Sequence, residues 1–447
     1  MLAMFRHMFT IPDLRGKILF TLALFAVYRL GTAIPVPGID LEAVRIFQAQ
    51  QQAGGIYGLL NLFSGGALEQ FSVLALGILP YITATIIMQL LTVVIPRLQA
   101  LQEEGESGRK TITQWTRYLT VGLAAVQSAG FTFLFHTGTF TQGIDLVPNY
   151  TPGRVALIIL TMTAGTAFVM WLGELITQRG IGNGMSLLIF ASILSQFPSI
   201  FGQLWGSTGA IERYGLFALV IVAFLVMIVA IIYIDQAQRR IPISFAKRVR
   251  GRRVMGGQST YIPLKVNTAG VIPVIFASSV LLFPSLLVTA IPVNNRFMQG
   301  VRRWLDSNLG GVGSGGLGGG GSGGQISLWY VLILFSLIIF FTYFYTAIQF
   351  DPQRQGEMLQ RQGGFIPGIR PGSATSRYLS HTLNRITLPG SIFLGLIAVL
   401  PTLATLIWNI PIGFSGVSIL IVVGVAIETM KQIESQLTMR NYEGFLT

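Results

Sequence analysis

The chain has no cysteine among its 447 residues, so neither a disulfide framework nor thiolate chemistry is open to it. Histidine is nearly as scarce. His7, His136 and His381 are dispersed, with no H-E-x-x-H or similar ligand spacing, so no metal site is expected. Charge is sparse at 11% of residues, and 17 acidic groups face 30 basic ones. No serine is paired with an evident His or Asp inside the apolar segments, which leaves hydrolytic catalysis without its constellation. Two glycine-rich stretches fail as phosphate sites. Gly105–Thr111 has Arg109 where a phosphate loop needs glycine, and Gly180–Ser186 lacks both the G-x-G-x-x-G spacing and a preceding strand, so it reads as a tight turn. No cofactor is expected.

What the chain has in abundance is hydrophobicity: 52% of its residues are apolar and the mean hydropathy is +0.65, beyond a soluble domain of this length. Ten apolar stretches approach the roughly 20 residues that cross a bilayer as a helix. They lie near 17–34, 73–95, 117–135, 154–175, 185–201, 214–234, 268–291, 328–350, 388–407 and 416–434, the fifth being short for a full span. Backbone groups in lipid must be satisfied internally, and these lengths exclude barrel strands, so the expected fold is an all-α membrane protein of ten transmembrane helices. Polar Asp13 and Arg15 precede the first apolar run, which lacks a small-residue cleavage site, so no cleavable signal peptide is read and the first span is expected to stay as an anchor.

The net charge of +13 is explained by its placement. With both termini cytoplasmic and ten spans alternating, most basic residues fall on one side, as orientation requires. The richest cluster, Arg239–Arg253, includes Arg240, Lys247, Arg248, Arg250 and Arg252 and is denser than orientation needs; it suits an acidic partner or RNA phosphates. A second cytoplasmic loop, about 351–387, contains Arg370.

Five spans before about residue 210 and five after it divide the chain into segments 1–210 and 211–447, which the odd span number makes inverted with respect to the membrane. Each half contains one copy of a G-x-x-P-x-I-x-A pattern followed by a small hydroxyl residue: Gly77–Thr85 and Gly270–Ser278. Each copy sets a glycine and a proline at the opening of a span, the second and the seventh. In inverted folds, matching interrupted helices meet at the working site, so the pair points to a pathway between halves. Because both copies open their helices, inversion places the shared residues at opposite depths unless one helix enters deeper.

Ion-coupled transport needs ionisable groups at mid-membrane. Only Arg29, Glu174 and Glu428 are candidates, all toward helix ends, where pairing or snorkelling accounts for them. The spans do offer isoleucines at helical spacing, Ile78 with Ile82 and Ile189 with Ile193, which share one helix face; a ring of such residues closes a pore by excluding water. By number alone, ordinary core or lipid-facing isoleucine is the commoner role. Leu59–Phe71 is semi-apolar, contains Gly65-Gly66 and is too short to span; it suits a re-entrant piece or an interfacial helix equally. Gly310–Gly324 is a flexible glycine-serine coil, either an introduced linker or a natural external loop.

Three stretches in order, Ser72–Gln89, Trp171–Ile189 and Phe365–Gly372, resemble signatures of the SecY family, the central subunits of bacterial Sec protein-translocation channels. The resemblance covers essentially the whole chain and departs only at Gly310–Gly324. It implies two inverted five-helix halves forming a clamshell around a central pore that passes unfolded secretory polypeptides. The implied pore ring is Ile78, Ile82, Ile189, Ile193, Ile275 and Ile421. The implied plug lies within about 59–71 and includes Asn61, Leu62, Phe63, Ser64, Gly65, Gly66, Ala67 and Leu68. The second and seventh spans would form a lateral gate releasing apolar segments into lipid, with Thr85, Ile86, Gln89, Ser278, Ser279 and Phe283 along it.

The resemblance further implies SecE and SecG subunits, the SecA motor ATPase, the ribosome with its RNA, signal-bearing precursors and membrane lipid as partners. Arg239, Arg240, Lys247, Arg248, Arg250 and Arg370 would serve contacts with the motor or the ribosome. It implies the bacterial cytoplasmic (inner) membrane and no enzymatic activity, with energy supplied by a partner. An inverted-repeat secondary transporter is the alternative, and an intramembrane enzyme the third reading.

Overall fold

The computed structural model describes residues 11–50, 64–137, 145–148, 150–206, 210–245, 248–250, 253–255, 259–290, 300, 328–408 and 415–443. Each of the ten expected spans contains a helix. They are α1 Pro12–Thr32, α3 Leu79–Val94, α5 Glu106–His136, α6 Pro152–Arg179, α7 Gly184–Leu194, α9 Ala210–Gln236, α10 Ile272–Ala290, α11 Leu328–Gln349, α13 Ser373–Trp408 and α14 Gly416–Glu443. Shorter helices are α2 Leu41–Gln50, α4 Pro96–Glu103, α8 Phe197–Gly206, which continues the fifth span, and α12 Pro352–Arg361. Among the described residues seven helices, or eight if one bent pair counts as a span, are long and apolar enough to cross a membrane. The bent pair is α3 with α4, turned by 99° at Ile95-Pro96. Proline opens α1, α3, α4, α6 and α12, where its missing N–H breaks no helical hydrogen bond.

The second span differs from expectation at its start. Residues 73–78 are apolar enough for helix but form turns, and the helix begins at Leu79. Phe71 (φ 46°) and Gly77 (φ 54°) lie in the left-handed region, which an α-helix cannot contain.

α1, α3, α5, α6 and α7 pack as one group, and α9, α10, α11, α13 and α14 as another. The groups meet along two seams: α7 against α14, and α10 against α3 and α5. Close approach depends on glycine. A Cβ on Gly184 would lie 1.9 Å from the Gly173 carbonyl oxygen where α7 meets α6, and one on Gly416 would lie 2.2 Å from the Ile397 carbonyl oxygen.

The spans are helical as expected, but the loops are not all coil. β1 Gln238–Phe245 pairs antiparallel with β4 Ser259–Lys265, in register Ile241 with Ile262. β5 Gly364–Phe365 adds to the other edge of β1, and β2 Arg248–Arg250 pairs with β3 Arg253–Met255. Ile241 and Leu264 bury one face of this sheet against Ile366, Leu379 and Leu383, a second small core that joins the two basic loops. Gly310–Gly324 lies outside the described residues.

Candidate functional site

The repeated pattern adopts the same backbone twice. Gly77 (φ 54°) and Gly270 (φ 64°) are both left-handed, and in each copy the helix starts two residues later with proline at its second position. The first turns also match: the Ile82 N–H donates to the Ile78 carbonyl at 3.1 Å and the Ile275 N–H to the Val271 carbonyl at 3.3 Å. On the other helices, Asn183 caps α7 by accepting from the Met185 N–H at 3.1 Å, which fixes where the face bearing Ile189 and Ile193 begins.

Ile78, Ile82, Ile189, Ile193 and Ile421 are buried in one apolar cluster, and the half-buried Ile275 packs against it. These residues come from α3, α7, α10 and α14 and the turn before α3, so both helix groups contribute to the cluster. Ala67 and Leu68, at 0% and 1% exposure, belong to the same cluster, so their segment is inserted among the helices rather than laid on a surface. Asn61, Leu62 and Phe63 lie outside the described residues. The far end of the segment is fixed by Phe71, whose ring meets Phe135 edge-on at 4.6 Å and Phe47 at 5.7 Å. Its carbonyl accepts from the Val36 N–H at 3.0 Å.

The helices that meet at the α10 seam carry several polar residues. Thr85 turns its hydroxyl back to the Tyr81 carbonyl (2.9 Å), Ser278 does the same to the Ile275 carbonyl (2.9 Å), and Ile86 is buried. Gln89 interacts with Tyr345 of α11, yet its Oε1 has no hydrogen-bond partner, and neither has the Ser279 hydroxyl. Phe283 lies on α10 at a position where only the backbone is described. Beside the seam, a groove of about 270 Å³ runs between α3, α4 and α5, lined by Tyr81, Thr85, Gln89 and Arg109 among others.

Of the basic residues, Arg239, Arg240 and Arg370 are exposed, with the Arg240 guanidinium 4.9 Å from the Tyr261 ring centroid. Arg248 and Arg250 are placed on β2 by backbone only, and Lys247 lies outside the described residues. Glu174 is not a lone buried charge: Arg117 grips it in bidentate fashion at 2.6 and 2.7 Å. Among the described residues no group of three or more His, Asp or Glu could hold a metal ion.

Two constellations escaped the sequence reading. Glu103 on α4 pairs with Arg354 on α12, linking a helix packed on α3 and α5 to one packed on α13. Tyr28 and Arg29 of α1 reach the carbonyls of Ser64 and Gly65. Only Arg29, a charge inside an apolar run, gave any signal.

The SecY family model matches residues 72–430. The chain is 50% identical to the protein translocase subunit SecY of Streptomyces scabiei and 48% identical to that of Mycobacterium tuberculosis, each alignment covering 100% of both chains. Among solved structures, one described as a protein-conducting channel superposes with a TM-score of 0.59 at 20% identity, covering 94% of this chain and 91% of that one. Sec61 in a canine ribosome-channel complex superposes with a TM-score of 0.54 at 19% identity, with the same coverage of 94% and 91%. At those identities the superpositions establish the shared fold alone. The family match and the full-length identity go further, and on them this chain belongs to the SecY family.

Proposed function

We propose that the chain is the pore-forming subunit of a protein-conducting channel, through which unfolded secretory polypeptides pass between the two helix groups. The observation that supports this best is the shared cluster of Ile78, Ile82, Ile189, Ile193, Ile421 and Ile275, contributed by both groups and filled by Ala67 and Leu68. A ring of branched apolar side chains fits around many sequences without binding any tightly, and it excludes ions and water when it closes. Segment 59–71 acts as the plug of the resting pore, and segments 1–210 and 211–447 act as the two halves.

The α10 seam is the lateral gate. Thr85, Ile86 and Gln89 face it from α3, and Ser278, Ser279 and Phe283 belong to it on α10. Apolar segments of a passing chain leave here for lipid, because each apolar residue gains by the transfer while each charge costs about 2.5–3.5 kcal/mol at the centre of the bilayer. The chemistry is non-covalent, so the driving energy comes from a partner, the SecA motor or the ribosome. Arg239, Arg240, Lys247, Arg248, Arg250 and Arg370 serve that docking, against acidic protein or ribosomal RNA phosphates. SecE and SecG complete the channel in the bacterial inner membrane, with both termini cytoplasmic. The bidentate Arg117–Glu174 pair removes one of the few charges that a transporter reading needs.

The test is reconstitution. Proteoliposomes holding this chain with SecE, SecG, SecA and ATP are given a signal-bearing precursor, and protease protection of the precursor is scored. Protection that disappears when this chain is omitted supports the proposal; equal protection without it sinks the proposal.

A further inference from the structure

A buried plug must be held firmly enough to seal and loosely enough to leave, and the described contacts divide those tasks unevenly. Ala67, Leu68 and Phe71 are packed without specific polar partners on their side chains, so apolar burial holds the middle of the segment. Its entry is held differently. The Tyr28 hydroxyl donates to the Ser64 carbonyl oxygen at 3.1 Å and shares a hydrogen bond of 2.8 Å with the Ser192 hydroxyl of α7. The next residue, Arg29, donates from one guanidinium nitrogen to the Gly65 carbonyl oxygen at 2.6 Å and to the Ser195 hydroxyl at 3.3 Å. Two adjacent residues of α1 thus bridge two adjacent plug carbonyls to two hydroxyls one turn apart on the fifth span.

Shape matches the polar contacts. Gly65 has φ +68° and its Cβ position is 3.1 Å from the Ser192 Cα, so only glycine brings this backbone against α7. The Ser64 hydroxyl accepts from the Leu68 N–H at 3.1 Å and so couples the clamped carbonyls to the buried part of the segment. Arg29 sits in the last turn of α1, where the helix dipole favours a cation, so the guanidinium is stabilised whether or not the plug is present.

We infer that Tyr28 and Arg29, with Ser192 and Ser195, form a clamp that positions the plug in the resting channel and that opens as a step separate from the gate. All six participants, Tyr28, Arg29, Ser64, Gly65, Ser192 and Ser195, precede residue 210, so moving the helix groups apart at the α10 seam leaves the clamp intact. Plug release therefore needs its own trigger, the arrival of a polypeptide that displaces the Ser64 and Gly65 carbonyls. Tyr28 and Arg29 are positioning residues; they need not touch the passing chain. This inference rests on the reading of segment 64–71 as the plug.

The absence of cysteine permits a direct readout. Ala67→Cys is introduced alone into the complete channel in proteoliposomes, and its labelling rate by a membrane-impermeant thiol reagent from the external side is measured with resting ion conductance. A charged hydrogen bond lost from the resting state predicts about a tenfold or greater rise in labelling for Arg29→Gln. Arg29→Lys, which keeps the charge but loses the fork, falls between Arg29→Gln and the parent. Tyr28→Phe removes only a hydroxyl and keeps the ring, so it serves if Arg29→Gln does not fold, with an expected rise of about fivefold.

Precursor transport continues in each variant, which a merely structural defect would not allow. Labelling and conductance unchanged in both Arg29→Gln and Tyr28→Phe, while deletion of residues 64–68 raises conductance, overturns the clamp and leaves the plug reading standing. Conductance unchanged by the deletion as well overturns both.

Discussion

The two seams between the helix groups are built from opposite materials. Where α7 meets α14 the helices carry Ile189, Ile193, Leu420 and Ile421, all buried, and a Cβ on Gly182 in the turn before α7 would make ordinary van der Waals contact with the Thr429 hydroxyl at 3.5 Å. Where α10 meets α3 and α5 the contact is short, and α3 and α10 carry Thr85, Gln89, Ser278 and Ser279, two of which hold polar atoms with no hydrogen-bond partner. An unmet buried polar atom costs about 1–3 kcal/mol, a cost that water or an incoming polypeptide relieves once the seam opens. The same two groups are therefore joined by one seam suited to act as a hinge and one suited to part.

The difference can be broken outright by tying either seam. With cysteines replacing Ile86 and Ser279, a short bis-maleimide that adds to both thiols and so bridges α3 to α10 is expected to abolish precursor translocation in the protease-protection assay. The same reagent bridging Leu187 to Thr429 at the α7 seam is expected to leave it intact. A smaller effect follows from making the apolar seam resemble the polar one. Ile421→Asn, at a residue with 0% exposure, places an amide without partners in the central cluster, costs the closed state about 1–3 kcal/mol, and is expected to raise resting ion conductance.

The converse change is milder. Ser279→Ala removes the unmet hydroxyl from α10, stabilises the closed form by about 1 kcal/mol and is expected to slow the initial rate of translocation. Least of all, Glu103→Arg breaks the Glu103–Arg354 pair between α4 and α12. Both side chains are about half exposed, at 48% and 60%, so the effect is below about 1 kcal/mol and fades with salt. Combining it with Arg354→Glu should restore the parent rate at low ionic strength.

Much of this contrast lay beyond the sequence, for identifiable reasons. The spans were legible because about 20 apolar residues have few other uses, and the halves because the Gly77 and Gly270 patterns repeat. Those glycines kept their promise locally: both are left-handed and both precede a helix by two residues. The late start of α3 was hidden because Ser72–Ile78 is as apolar as the helix that follows it, and hydropathy says nothing about φ. The choice between re-entrant and interfacial positions for Leu59–Phe71 was open in sequence because both bury half of a short apolar segment; Ala67, Leu68 and Phe71 in the core favour the re-entrant one.

β1 and β4 were missed although Ile241 and Ile243 alternate with exposed residues, because the run of arginines and lysines around them dominated the reading. Glu103 with Arg354, and Tyr28 with Ser192, are far apart in the chain and meet only through the packing of the helices.

The central claim is that a polypeptide passes through the isoleucine cluster. Single cysteines at Ile82, Ile189 and Ile275 in this cysteine-free chain, with a secretory precursor trapped in mid-transit and carrying its own cysteine, test it directly. Disulfides at all three positions, with exposed positions such as Leu160 and Val226 unreactive, are the predicted result. A precursor that stalls normally yet forms none of the three would contradict the pore assignment.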